Sequence, residues 1–219
     1  MPQTNGRGKH LAAATAEYAN QIRDRNVSAG AIRYLTEHGI GSYEVAQRYG
    51  LGYVARPLAG DEWFENCLAI PYYSRKGEVL DVKYRSLGDS GAKCRKYPGS
   101  KNRLYNAGAY FRANNIIGIA EGEPDTIAAE VNLGVPTVGV PGVDSWGKMG
   151  RVWGPIFKDF MYVWIFADGD GAGKDYAAEV AEDIGWRARV IQCPDGEDVS
   201  SMCATGRVEE LRAKCQLSE

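Results

Sequence analysis

A chain of 219 residues with 44% hydrophobic and 25% charged residues has room for one or two packed domains and the composition of an ordinary globular protein. No apolar run approaches the ~20 residues of a membrane span, so a soluble, cytoplasmic protein is expected; five cysteines (Cys67, Cys94, Cys193, Cys203, Cys215) without a C-x-x-C pair, and two histidines (His10, His38), assemble no zinc module, and reduced thiols are expected. The net charge of −2 hides an asymmetry: residues 1–114 carry 17 basic against 10 acidic side chains, residues 115–219 carry 9 against 18, the distribution of an enzyme that grips a polyanion on one surface and collects metal on another.

In chain order, residues 1–9 are expected to be disordered and 11–25 to form a weakly amphipathic helix or linker, making 1–27 a flexible N-terminal segment. Ser28 is placed to cap a helix carrying Ile32 and Leu35 that ends at Gly39, and Ser42 to cap another ending near Gly50. Residues 67–73 and 78–84 flank Ser74-Arg75-Lys76-Gly77, which reads as a β-hairpin. From Lys83 to Arg103 the chain holds seven basic residues, Lys83, Arg85, Lys93, Arg95, Lys96, Lys101 and Arg103, and a single acid, Asp89. Tyr84, Tyr97 and Tyr105 stand among them. Tyrosines in strands are commonly core or sheet surface, yet this mixture is also the one that neutralises phosphates and stacks bases, and nucleic-acid contact is the reading favoured here.

The next three segments repeat one pattern, a buried strand ending in acids. Residues 115–120 form an apolar run that ends in Glu121-Gly122-Glu123-Pro124-Asp125; a helix follows over 126–131, closed by Gly134, with Pro124 in its first turn, where a missing N–H costs nothing. Residues 161–167 are apolar, too short for a helix and rich in aromatic and β-branched types, which suits a strand buried on both faces. They run into Asp168-Gly169-Asp170-Gly171-Ala172-Gly173-Lys174-Asp175 and a helix with Tyr176, Ala177, Val180, Ala181 and Ile184 at helical spacing, stopped by Gly185. Residues 186–192 form one more strand, followed by Cys193-Pro194-Asp195-Gly196-Glu197-Asp198, and 208–215 a short terminal helix. Gly173-Lys174 superficially matches the end of a phosphate-binding loop, but Asp168 stands where that loop needs glycine and Asp175 where it needs Ser or Thr. An oxygen-rich site for a divalent cation fits all three strand ends.

The ordered set resembles the TOPRIM domain of bacterial-type primases, topoisomerases and some nucleases: a strand-end Glu-Gly with Asp four residues on, Asp-x-Asp-x-x-Gly on a later strand, and a further acidic loop. Upstream, the stretch from Asn66 to Tyr73, Gly77 to Arg85, Lys96-Tyr97 and Leu104-Tyr105-Asn106 is similar to the basic subdomain preceding TOPRIM in the RNA polymerase domain of bacterial and phage primases, and Tyr34 to Ile40 with Leu51-Gly52-Tyr53 resembles its opening. The resemblance covers about residues 28–205. It implies an α/β fold, a TOPRIM-type mainly parallel sheet with flanking helices, preceded by a smaller α+β basic subdomain: 28–114 basic, 115–205 catalytic, 206–219 a C-terminal helix. Asn106 stands where the family has lysine, and Ser200 where its acidic loop supplies a second aspartate.

The activity implied is DNA-directed synthesis of short RNA primers on single-stranded DNA from ribonucleoside triphosphates, with Mg²⁺ or Mn²⁺ and no zinc. Asp168 and Asp170 would be the principal ligands, Asp125 and Asp198 would orient or complete a second position, and Glu121 would be either a ligand or a general base. The catalytic group is thus Glu121, Asp168 and Asp170. Lys83, Arg85, Arg95, Lys96, Lys101 and Arg103 would bind nucleic acid or nucleotide, Arg85 and Lys96 foremost. Lys174 is read as a helix-surface charge. A replicative helicase or a zinc-module protein is expected to act in trans, and no membrane is expected as a partner. A TOPRIM nuclease cutting phosphodiesters and a non-catalytic TOPRIM repair protein are the alternatives.

Overall fold

The computed structural model describes residues 4–88, 92–142 and 144–216. Asp89 lies outside them. The chain divides into two compact units, Met1–Thr36 with Gly41–Lys101, and Glu37–Ile40 with Asn102–Glu219.

The first unit begins with α1 (Thr4–Arg23), α2 (Ala29–Glu37) and α3 (Tyr43–Arg48). An antiparallel sheet follows, β1 (Gly52–Tyr53), β2 (Cys67–Tyr73), β3 (Val79–Ser86) and β4 (Cys94–Lys96), in the order β1-β2-β3-β4. The hairpin is where the turn residues place it: Gly77 takes φ 79°, and the Ser74 N–H donates to the Glu78 carbonyl. Ser42 caps α3 through the Val45 N–H.

The N-terminal stretch departs from its expected flexibility, being helical from Thr4. Leu11, Ala14 and Tyr18, three or four residues apart, bury one stripe of α1 in a cluster with Val54, Phe64, Cys67, Ala69, Val82 and Tyr84. The stripe is narrow, and Ala12, Ala13 and Ala16 on the exposed side blur its contrast, which is why the pattern reads as weak. Glycine at 52 lets the helix come close, since a Cβ there would lie 2.7 Å from the Tyr18 backbone. Polar groups complete the docking. The Gln21 side chain accepts from the Ala55 and Arg56 N–H groups and donates to the Arg56 carbonyl. Asp61, fully buried, accepts from the Tyr18 hydroxyl at 2.6 Å and the Tyr97 hydroxyl at 2.7 Å, and contacts His10 Nε2 at 2.9 Å.

The second unit is built on a parallel sheet in the order β6-β5-β7-β8. Its elements are α4 (Ala109–Arg112), β5 (Ile116–Ala120), α5 (Glu123–Leu133), β6 (Thr137–Gly139), α6 (Asp144–Trp153), β7 (Tyr162–Ala167), α7 (Gly171–Ile184), β8 (Ala188–Gln192), α8 (Val199–Ala204) and α9 (Val208–Cys215). Period-two alternation sends Val163, Ile165 and Ala167 into a core with α6 and α7, and Trp164 and Phe166 into another with α5, α8 and α9. Both faces of β7 are covered, which accounts for its unbroken apolar run. The last strand starts at Ala188, because Gly185–Arg187 form a 3₁₀ turn.

The unit boundary falls after Lys101, ahead of the expected 114. Tyr105 pairs with the Gly139 backbone in both directions, and the Asn106 side chain donates to Glu130 and to the Thr137 carbonyl, tying 102–114 to the parallel sheet. Among the described residues the five cysteines are free and no helix is long and apolar enough to cross a membrane.

The Asp61 cluster generates a stability test. Burial holds the Tyr18 and Tyr97 hydroxyls protonated far above the ordinary tyrosine range, and the Asp61 carboxylate adds to it. Asp61→Ala strands two phenols and a histidine, so the urea midpoint should fall by the equivalent of about 3 kcal/mol. A midpoint equal to the parent's would show that the network is not what docks α1.

Candidate functional site

The acids sit at the carboxyl ends of the strands, where open parallel sheets bind ligands. Glu121 follows β5, Asp168 follows β7, Asp170 caps α7 and Asp198 caps α8. The Glu121 carboxylate accepts from the Asp168 N–H at 3.2 Å, so the first two strand ends are joined through the site itself. Gly173 makes that approach feasible, since a Cβ there would lie 2.8 Å from Glu121 Oε1 and 2.5 Å from the Asp168 carbonyl. Asp170 accepts from the Gly173 N–H at 2.7 Å. The acidic loop is locked by backbone: Gly169 donates to the Glu197 carbonyl at 2.7 Å, and a Cβ on Gly169 would lie 1.7 Å from the Pro194 oxygen.

Ser200 joins the third strand end to the first. Its N–H donates to Asp125 at 2.9 Å and its hydroxyl to Asp198 at 2.8 Å. Sequence reasoning sees here only a missing carboxylate, whereas the hydroxyl and amide hold two acids in place. Tyr176 is also invisible as a site residue in the sequence, because it matches the apolar stripe of α7. Its hydroxyl is buried without a protein partner among the described residues, close enough to Glu121 and Asp168 to feel both charges.

Burial dominates the electrostatics. It pushes Asp125 up to about 8, with Asp198 and Asp168 adding to it, and Asp168 up to about 7, with Glu121, Asp198 and Asp170 contributing. Glu121 is likewise raised to about 7 by burial and, to a lesser extent, by Asp125, Asp170 and Asp198. Among the described residues no Lys or Arg forms an ion pair with any of these five, although Glu197 and Asp195 of the same loop are paired with Arg207 and Lys174. Lys174 is thus a surface partner, as its helix position implies.

An uncompensated, all-oxygen donor set suits a hard divalent cation. Among the described residues no three acids meet in a ready-made cage. Mg²⁺ needs none, since it is commonly held by one or two carboxylates together with water and substrate phosphates.

The basic residues divide. Lys83 lies opposite Lys96, and Arg85 opposite Cys94, so Lys83, Arg85 and Lys96 share one face of the first unit's sheet. Arg85 packs over the Tyr34 ring at 5.8 Å. Arg95, opposite Tyr84, is on the other face; it stacks on Trp63 at 4.7 Å and donates to the Trp63 carbonyl. Lys101 is exposed after β4, and Arg103 belongs to the second unit. The tyrosines offer no open stacking platform: Tyr84 and Tyr105 are buried, and Tyr97 is engaged with Asp61.

The chain is 42% identical over 143 residues to the Gene 57 protein of Mycobacterium phage D29, a match covering 64% of this chain and 91% of that protein. No family model matches it. The fold is that of the bacterial DnaG primase catalytic core. A solved DnaG catalytic core superposes with a TM-score of 0.76 at 21% identity, covering 95% of this chain and 79% of that one. A DnaG catalytic domain bound to single-stranded DNA gives 0.73 at 20% identity, covering 95% and 80%. By its sequence the chain belongs to the family of the phage D29 Gene 57 protein.

The raised carboxyls make stability depend on pH with a definite sign. In the metal-free fold these groups bind protons that the unfolded chain, titrating near pH 4, has already released. Their stabilising contribution is therefore largest below about pH 4 and is lost as pH rises through about 7 to 8. Metal-free protein should melt at a lower temperature at pH 8.5 than at pH 6, and Asp168→Asn should flatten this slope. A slope unchanged in that variant would mean that Asp168 does not share the site's repulsion.

Proposed function

We propose that the chain is a DNA primase catalytic core, a nucleotidyltransferase that joins ribonucleoside triphosphates into short RNA primers on single-stranded DNA. The observation that carries this reading is the group of five carboxylates, without a Lys or Arg ion-pair partner among the described residues, at the strand ends of a fold shared with primase catalytic cores. The single-stranded DNA in a structure sharing that fold supports the same template class.

In this reading Asp168 and Asp170 hold Mg²⁺ or Mn²⁺, and Asp125 and Asp198 complete a second position. The cations, when bound, supply charge stabilisation of the attacking and leaving oxygens. Ser200 keeps Asp125 and Asp198 at a set spacing. Lys83, Arg85 and Lys96 receive phosphates of template or nucleotide. Glu121 takes the proton from the primer 3′-hydroxyl as that oxygen attacks the α-phosphate and pyrophosphate leaves. A helicase or zinc-module protein in trans supplies loading and start-site choice.

The test is incubation with circular single-stranded DNA, labelled ATP or GTP and Mg²⁺ or Mn²⁺. Label should enter short oligonucleotides, and Asp168→Asn or Asp170→Asn should lower incorporation by about a hundredfold or more. Cutting of the DNA without incorporation would move the function to a nuclease. Glu121→Gln should retain Mn²⁺ binding while losing the rise of rate with pH; loss of Mn²⁺ binding would make Glu121 a ligand instead.

Template contact has its own measurement. Each lost phosphate contact reduces the log–log salt dependence of single-strand binding by about 0.7. Arg85→Ala and Lys96→Ala should each show that change. Arg95→Ala should leave the slope as it is, because its guanidinium is committed to Trp63.

A further inference from the structure

At the opposite ends of the strands from the acids, the second unit has a cavity of about 440 Å³ lined by Ile116, Tyr162, Trp164, Arg189, Lys214 and Cys215. Ile116 and Tyr162 are the first residues of β5 and β7, whereas Glu121 and Asp168 follow the last. The cavity runs along β8, the outermost strand of the sheet. Arg189 and Val190 are consecutive and point to opposite faces, yet both line it, and both are exposed. Arg189 and Ile191 pair with Trp164 and Phe166, so the cavity lies on the Trp164 face of the sheet, beside its edge strand.

Its chemistry is mixed. Ile116, Trp164 and Cys215 give an apolar floor. The Arg189 guanidinium lies over the Tyr162 ring at 4.7 Å and donates to the carbonyls of Trp186 and Ala188, and Lys214 donates to the Gln192 carbonyl at 2.9 Å. Among the described residues neither cation forms an ion pair with a carboxylate, although residues 115–219 carry twice as many acids as bases. Lys214 also lies near enough to Glu210 to help hold that carboxyl low, whereas Arg189 is held by neutral carbonyls and the Tyr162 ring and is matched to an incoming anion. A nucleobase is disfavoured as occupant, because Trp164 is only 5% exposed and Arg189 occupies a face of Tyr162.

We propose that the β8 edge and this cavity form a docking groove for an extended acidic peptide segment of a protein partner. The segment adds a strand alongside β8, places an apolar side chain on the Ile116–Trp164–Cys215 floor, and sets flanking carboxylates against Arg189 and Lys214. Backbone hydrogen bonds supply affinity, and the alternating side chains supply selectivity.

The test is to pan a displayed library of random linear peptides against the full chain. Peptides retained by the full chain but released by an R189E/K214E variant are synthesised with a fluorescent label, and binding is read by anisotropy. The enriched sequences should alternate acidic and apolar residues. R189E/K214E should weaken them at least about tenfold, ~1.4 kcal/mol, while its melting curve and Mn²⁺ binding stay at parent values. N-methylation of peptide amides at alternate positions should also weaken binding, as strand addition requires. Several results would overturn the proposal: no enrichment, enrichment without acids, equal binding by the double variant, indifference to N-methylation, displacement by ATP or inorganic phosphate alone, or a dimer of the chain that R189E/K214E dissolves. None of these outcomes depends on whether the carboxylate site polymerises nucleotides.

Discussion

Like charges brought together without a counter-ion are the constraint around which the second unit is arranged. Carboxylates repel one another and lose hydration when buried, so their convergence has to be stabilised elsewhere. The two cores on either side of β7 do this by burying large apolar side chains on both faces of the strand that carries Asp168. Glycines then remove the steric obstacles. Gly169 admits the acidic loop and Gly173 admits Glu121, each at distances that no Cβ would tolerate. The protein's rigidity and its local instability are consequently found within a few residues of each other.

The first unit balances charge differently. One of its buried acids, Asp61, is surrounded by phenols and a histidine and serves docking of α1. Its basic residues divide between display and packing. Lys83 and Lys96 face each other across neighbouring strands, whereas Arg95 lies over the Trp63 ring. Adjacent basic residues on a short strand, Arg95 and Lys96, can therefore have opposite roles, and only cross-strand register separates them.

The fold is largely legible in the sequence where burial is two-sided or turn chemistry is strict. The apolar run of β7, Pro124 and Gly134 bounding α5, and the Ser74–Gly77 turn all announce their elements. What stays hidden is set by partners distant along the chain. Strand β6 has three residues and no pattern of its own; it exists because β5 offers an edge. Helix α1 reads as weak because alanines on its exposed side blur the contrast with its buried stripe. Among site residues, the acids stand out because Glu-Gly and Asp-x-Asp follow apolar runs, but Ser200 does not, since a serine after an acid is ordinary at a helix start. Its role appears only when Asp125, 75 residues away, arrives beside it. The stacking role read into Tyr84 and Tyr105 fails for a related reason: composition places aromatics near charges but does not say which face of the strand they occupy.

The lock between the acidic loop and the strand end has a consequence for how the site opens. The Gly169 amide reaches the Glu197 carbonyl, the Gly196 amide returns to Gly169, and the Ser200 amide ends on Asp125. Three protons on two separate stretches of chain are thereby shielded by one event, the seating of the loop. Loop detachment releases all three to solvent together, so they form a single cooperative exchange unit even though no regular element contains them all. Their exchange with deuterium is a direct, activity-independent gauge of whether the acids are assembled.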